Sequence, residues 1–142
     1  MSSLNLEQAQ AIIAGALAKA AEADMNKLCV VVLDAGGRMV AMVRQDGVPF
    51  GRNDVAYAKA YGSLAVGMNS RNLEGAALDR PHFMAGVIGA IGGPVVPVAG
   101  GVIVYDSDGN RVGAVGASGD TSDNDETAVL AGIEAAGLKA EG

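Results

Sequence analysis

The sequence predicts an α+β domain in which helices pack on a largely antiparallel sheet. Three observations lead there. Two pairs of short β-branched runs are each broken by a glycine-bearing turn, the connections inside each pair are too short for a parallel crossover, and alanine-rich segments of helical periodicity lie before, between and after them.

Asn5, with Gln8 three positions on, reads as a capping box, and Leu6, Ala9, Ile13, Ala16, Leu17 and Ala20 recur at helical spacing, which predicts a helix over about 6–23. Residues 28–33 form an apolar run ended by Asp34-Ala35-Gly36-Gly37, and 39–43 resume it before Arg44-Gln45-Asp46-Gly47: a β-hairpin. Asn53 or Asp54 offers a cap for a second helix through Val55, Ala58, Tyr61, Leu64 and Ala65. Ser70 offers one for a short helix through Leu73, Ala77 and Leu78, and Pro81 suits the first turn of another that runs to about Ala90. Gly92-Gly93-Pro94 and 97–101 form a loop, after which 102–105 and 112–117 flank Asp106-Ser107-Asp108-Gly109-Asn110 as a second hairpin. The last strand ends near Ser118. Thr121 or Ser122 then caps a helix that turns Val129, Leu130, Ile133 and Ala136 inward and stops near Gly137.

A chain of 142 residues suits one domain, 1–142, with no linker or repeat. The single cysteine, Cys29, rules out an intrachain disulfide and reads as a small buried hydrophobe in a reducing compartment. MSSLNLEQAQ has neither a basic start nor an apolar signal core, and no apolar run approaches the roughly 20 residues of a membrane span, so a cytoplasmic protein with no membrane partner is expected. A net charge of −6, with ten scattered basic residues, argues against nucleic acid as a partner. Half the residues are apolar but only 4% are aromatic, so Ala, Val, Ile, Leu and Met carry the core; with 18% charge, the surface is expected to include subunit contacts.

VGAVGASGDTSDNDETAV, residues 112–129, places Asp120, Asp123, Asp125 and Glu126 around a helix start. Unpaired N–H groups and the positive end of the helix dipole account for such acids without a ligand. The glycine and distal glutamate of an EF-hand loop are missing, so no metal is expected.

Three segments, VVVLDAGGRMVAMVRQDGV (30–48), NDVAYAKAYGSLAVG (53–67) and AGGVIVYDSDGNRVGAVGASGDTSDNDETAVLAGIEA (99–135), together resemble the GlcG/HbpS family, often called haem-degrading, which includes the C-terminal domain of PduO-type proteins. The resemblance covers nearly the whole chain in order. It implies a profilin-like α-β-α arrangement with a five-stranded antiparallel sheet, assembly into homo-oligomers from dimers to octamers, and either haem binding or a role in small-metabolite catabolism. Haem-binding members can take an axial histidine from the first helix. Here that helix has none, and Glu74 stands alone where a Glu-x-x-Glu iron signature would need a pair.

The candidate site residues follow from side-chain chemistry and from the resemblance. His82, the only histidine, can exchange protons near neutrality or ligate iron, and Met84 is a second candidate iron ligand. Lys59, flanked by small alanines, matches a lysine of the family's second helix and could meet an anionic substrate or an electrophilic carbonyl; Tyr57 and Tyr61 share its helix and lie on one face. Arg44 and Asp46 also match the family pattern, the guanidinium suiting a carboxylate. Gly100 and Gly101 would let backbone N–H groups approach a ligand, and Asp46 or Asp125 could accept protons. Nucleotide, serine-hydrolase and zinc motifs are absent.

The expected function is binding of a small oxygenated or anionic metabolite between the glycine loop and the central helices, with cofactor-independent proton transfer (isomerase, hydratase or lyase) as its chemistry. A haem or tetrapyrrole protein and a non-catalytic accessory subunit are the alternatives.

Overall fold

The computed structural model describes residues 3–142. Helix α1 (Leu6–Glu22) is followed by strands β1 (Cys29–Asp34) and β2 (Met39–Arg44) and by helices α2 (Gly51–Val66), α3 (Ser70–Asp79) and α4 (Pro81–Ile91). Strands β3 (Gly101–Tyr105) and β4 (Arg111–Ser118) come next, and helix α5 (Ser122–Ala135) closes the order. Each predicted element is present. Local chemistry sets most of the ends: the Asn5–Gln8 capping box is formed in both directions, Thr121 Oγ1 accepts the Asn124 N–H, and Pro81 opens α4.

The two hairpins lie side by side and join through β1 and β4, so the strand order is β2-β1-β4-β3 and every pairing is antiparallel. The sheet has four strands, not the five that the family resemblance implies. At the outer edge of β3 the segment after α5 makes a single bridge, with Tyr105 and Lys139 exchanging backbone bonds of 2.8 and 3.0 Å. One residue is too little to form a strand, because Leu138 is still held to the Ile133 carbonyl at the end of α5.

Side chains alternate across the sheet and divide the core in two. Val30, Val32, Val102, Val104 and Val115 pack under α1 and α5, whereas Cys29, Val31, Leu33 and Ala114 pack under α2. Helix α2 lies with its backbone almost on the strands. A Cβ at Gly101 would overlap the Lys59 carbonyl, and one at Gly116 the Ala56 carbonyl, so both positions require glycine. The inward faces differ from the simple periodicity at three points: Leu6 is 55% and Leu130 40% exposed, and Ile12 is fully buried where Ile13 is only partly so.

Two helix starts also differ. Phe50 occupies the N-cap of α2, so Asn53 and Asp54 lie inside the helix. Asn69 holds that position for α3, while the Ser70 hydroxyl accepts the Gly101 N–H at 2.7 Å and so ties α3 to β3.

Candidate functional site

Lys59 projects from α2 past the glycine loop to the far side of the sheet. Its Nζ donates to the Ala117 carbonyl at 2.9 Å and lies 3.1 Å from Asp125 Oδ2, and both side chains are 2% exposed. Gly100, with φ of +124°, makes room: a Cβ there would sit 2.8 Å from Lys59 Nζ. The other oxygen of Asp125 accepts the Asp120 N–H at 3.0 Å. Burial pushes the Asp125 carboxyl above the ordinary carboxylate range, against the Asp120 N–H and the Lys59 charge, which lower it. Lys59, Asp125, Gly100 and Gly101 are thus brought together, as an ion pair clamping α2 to α5 across the sheet.

The acidic cluster divides its labour. Asp120 accepts the N–H groups of Asn26 and Thr121 and the Asn124 side chain, so hydrogen bonds hold its carboxyl below the usual range. Asp123 and Glu126 both pair with Arg71 of α3, at 2.5 and 2.9 Å. No group of three or more His, Cys, Asp or Glu among the described residues is placed to hold a metal.

His82 is elsewhere. It stands exposed in the first turn of α4, a helix that packs chiefly on α3 and buries only Met84. The neighbouring Phe83 ring is half exposed and carries the Arg80 guanidinium 4.6 Å above its centroid. Tyr57 and Tyr61 stack on each other, centroids 5.6 Å apart, and pack at the margin of the α2 core. Tyr61 also lines a shallow cleft of about 180 Å³ beside Gly36 and Gly37.

Arg44 and Asp46 line a cleft of about 340 Å³ with Val48 and Phe50. An adjoining cleft of about 260 Å³ shares Asp46 to Pro49 and adds Lys27, Arg52 and Gly119. Nothing in the sequence pattern marks Lys27, Arg52 or Ser118. The strand register sets Ser118 across β1 from Arg44, since Cys29 pairs with Arg44 on one side and with Ser118 on the other, and Arg52 donates to Ser118 Oγ at 3.3 Å.

This fold and these clefts define a three-layer α+β domain with a buried lysine clamp and an exposed apolar helix bearing its only histidine. The chain belongs to the HbpS-like family: the model described as "Haem degrading protein HbpS-like" matches residues 4–134. Among solved structures, a PduOC:heme complex superposes with a TM-score of 0.86 at 20% identity, covering 99% of each chain. The Klebsiella pneumoniae protein ORFY gives 0.86 at 22% identity, covering 96% of this chain and 92% of that one; HbpS gives 0.80 at 22%, covering 94% and 90%. No curated protein matches the chain.

Proposed function

We propose that this protein binds haem or a related tetrapyrrole on the exposed face of α4, where His82 would hold the iron. Membership of a family described as haem-degrading carries the reading. A structural relative that is a heme complex adds to it.

The residues present fit such a group at one place. A tetrapyrrole needs an apolar surface for its ring, a nitrogen or sulfur donor for iron and cations for its propionates. Helix α4 offers half-exposed Phe83, Val87 and Ile88, and the His82 side chain is exposed beside them. Arg80 precedes it at the helix start. Met84 is 3% exposed and points into the protein, which leaves His82 as the donor. Iron held there would supply the redox chemistry. The chain's own residues would hold the ring and its carboxylates.

Hemin titration tests this. An ordered Soret shift that saturates at one equivalent per chain and is lost in His82→Ala is expected; weak, featureless binding unchanged by that substitution would overturn it. The proton-transfer reading has less support, because Lys59 Nζ is committed to Ala117 and Asp125. It needs Lys59 and His82 to face one ligand, and neither lines the clefts beside Tyr61, Arg44 or Arg52.

A further inference from the structure

The geometry points to a binding site for a small carboxylate at the end of the sheet beside the start of α2, where Arg44, Arg52 and Lys27 surround two adjoining clefts. Arg44, Cys29 and Ser118 lie directly opposite one another on β2, β1 and β4, so their side chains leave the same face of the sheet. Two strand spacings, about 10 Å, separate Arg44 from Ser118. Arg52 reaches Ser118 from the first turn of α2, so each of the two adjoining clefts has a guanidinium on its wall, the donor suited to a carboxylate.

These cations are free to take a ligand. Each guanidinium has five donors. Arg44 spends one on the Val48 carbonyl at 3.4 Å and Arg52 one on Ser118 at 3.3 Å, and neither is paired with a carboxylate among the described residues. No side chain caps the first turn of α2, whose positive end adds to the field.

Asp46, the one acid in both clefts, sets the ligand's character. It opposes a dianion such as phosphate and favours a monocarboxylate carrying a hydroxyl or amine that it can accept from. The cleft volumes, about 340 and 260 Å³, limit the ligand to a small metabolite. This site is separate from α4. Arg44 is on the edge strand β2, whereas α3, on which α4 packs, lies beside β3 at the other edge.

The test is an NMR titration of the full chain with lactate and acetate, chloride being exchanged to keep ionic strength constant. Expected are saturable shifts at Ser118, Gly119 and the Arg44 and Arg52 side chains, lactate binding more tightly than acetate, and at least tenfold weaker binding in Arg44→Gln and in Arg52→Gln. Arg111→Gln, an exposed arginine that bonds Gly67, should bind as wild type. Non-saturating shifts spread equally over Arg38, Arg80 and Arg111 would overturn the proposal, as would phosphate binding more tightly than lactate. A hemin arm keeps the two readings apart. Lactate binding that persists in His82→Ala and with hemin present supports a distinct site; displacement of lactate by hemin overturns it, because the carboxylates held there would then be propionates.

Discussion

Lys59 Nζ lies 3.1 Å from Asp125 Oδ2 with both side chains out of water, joining a helix on one face of the sheet to a helix on the other. A pair so buried has little net stabilising power against a well-packed apolar pair, because desolvation offsets the Coulomb attraction. Its effect is conditional. With both members present their polar atoms are satisfied, and no buried side-chain N or O among the described residues lacks a partner.

Removing one member is therefore expected to cost far more than removing both. Lys59→Met and Asp125→Leu should each lower the unfolding free energy by about 3 to 5 kcal/mol, and the double variant by clearly less than their sum. Urea denaturation of the four proteins checks this. Additive losses of under about 1 kcal/mol each would show that the clamp has no such role.

Asp120 and Asp125 belong to the same helix start but titrate in opposite directions. Bonds from the Asn26 and Thr121 N–H groups lower Asp120, whose stabilising contribution is present above about pH 4 and lost as pH falls through its lowered folded value. Burial raises Asp125, whose contribution is present below about pH 4 and lost as pH rises through its raised folded value. Carboxyl carbon-13 titration should place Asp125 above Asp120. Asp120→Asn should flatten the loss of stability in acid, and the reverse order of the two carboxyls would contradict this account.

Glycines at matched helix and strand positions should respond with opposite signs. Gly101→Ala drives a methyl into the Lys59 carbonyl, and neither backbone can retreat without breaking the sheet, so a loss of several kcal/mol or a failure to fold is expected. Gly75→Ala, in α3 with open space around it, should stabilise by about 0.5 to 1 kcal/mol. Thermal melts read both. A tolerated Gly101→Ala would mean that α2 stands farther from β3 than the structure has it.

Cys29 should be chemically quiet. It is fully buried, donates to Asn53 Oδ1 at 2.8 Å, and burial raises its thiol above the ordinary value in spite of the charges of Arg44 and Arg52. A disulfide reagent at about pH 8 should react only as the chain opens, with a rate that follows unfolding in urea. Reaction at the rate of a free thiol in native protein would sink this.

Most of the element order was legible from residues a few positions apart. Capping by Asn5 and Thr121, proline at the start of α4 and glycine-bearing turns are local, short-range chemistry. Helix starts were less certain where the cap has no side-chain bond, as at Phe50 and Asn69. Four acids near one helix start also look alike in sequence, yet Asp120 and Asp125 each face a different partner from Asp123 and Glu126.

By itself the sequence determined the helices, the hairpins, their antiparallel sense and the family, because these depend on periodicity, turn chemistry and motifs read along the chain. Only the tertiary structure decided that β1 pairs with β4, and with it that Lys59 meets an acid 66 residues away and that Arg44 and Arg52 line two adjoining clefts. Long-range strand pairing brings those residues together, and periodicity carries no information about which edge of one hairpin meets the other.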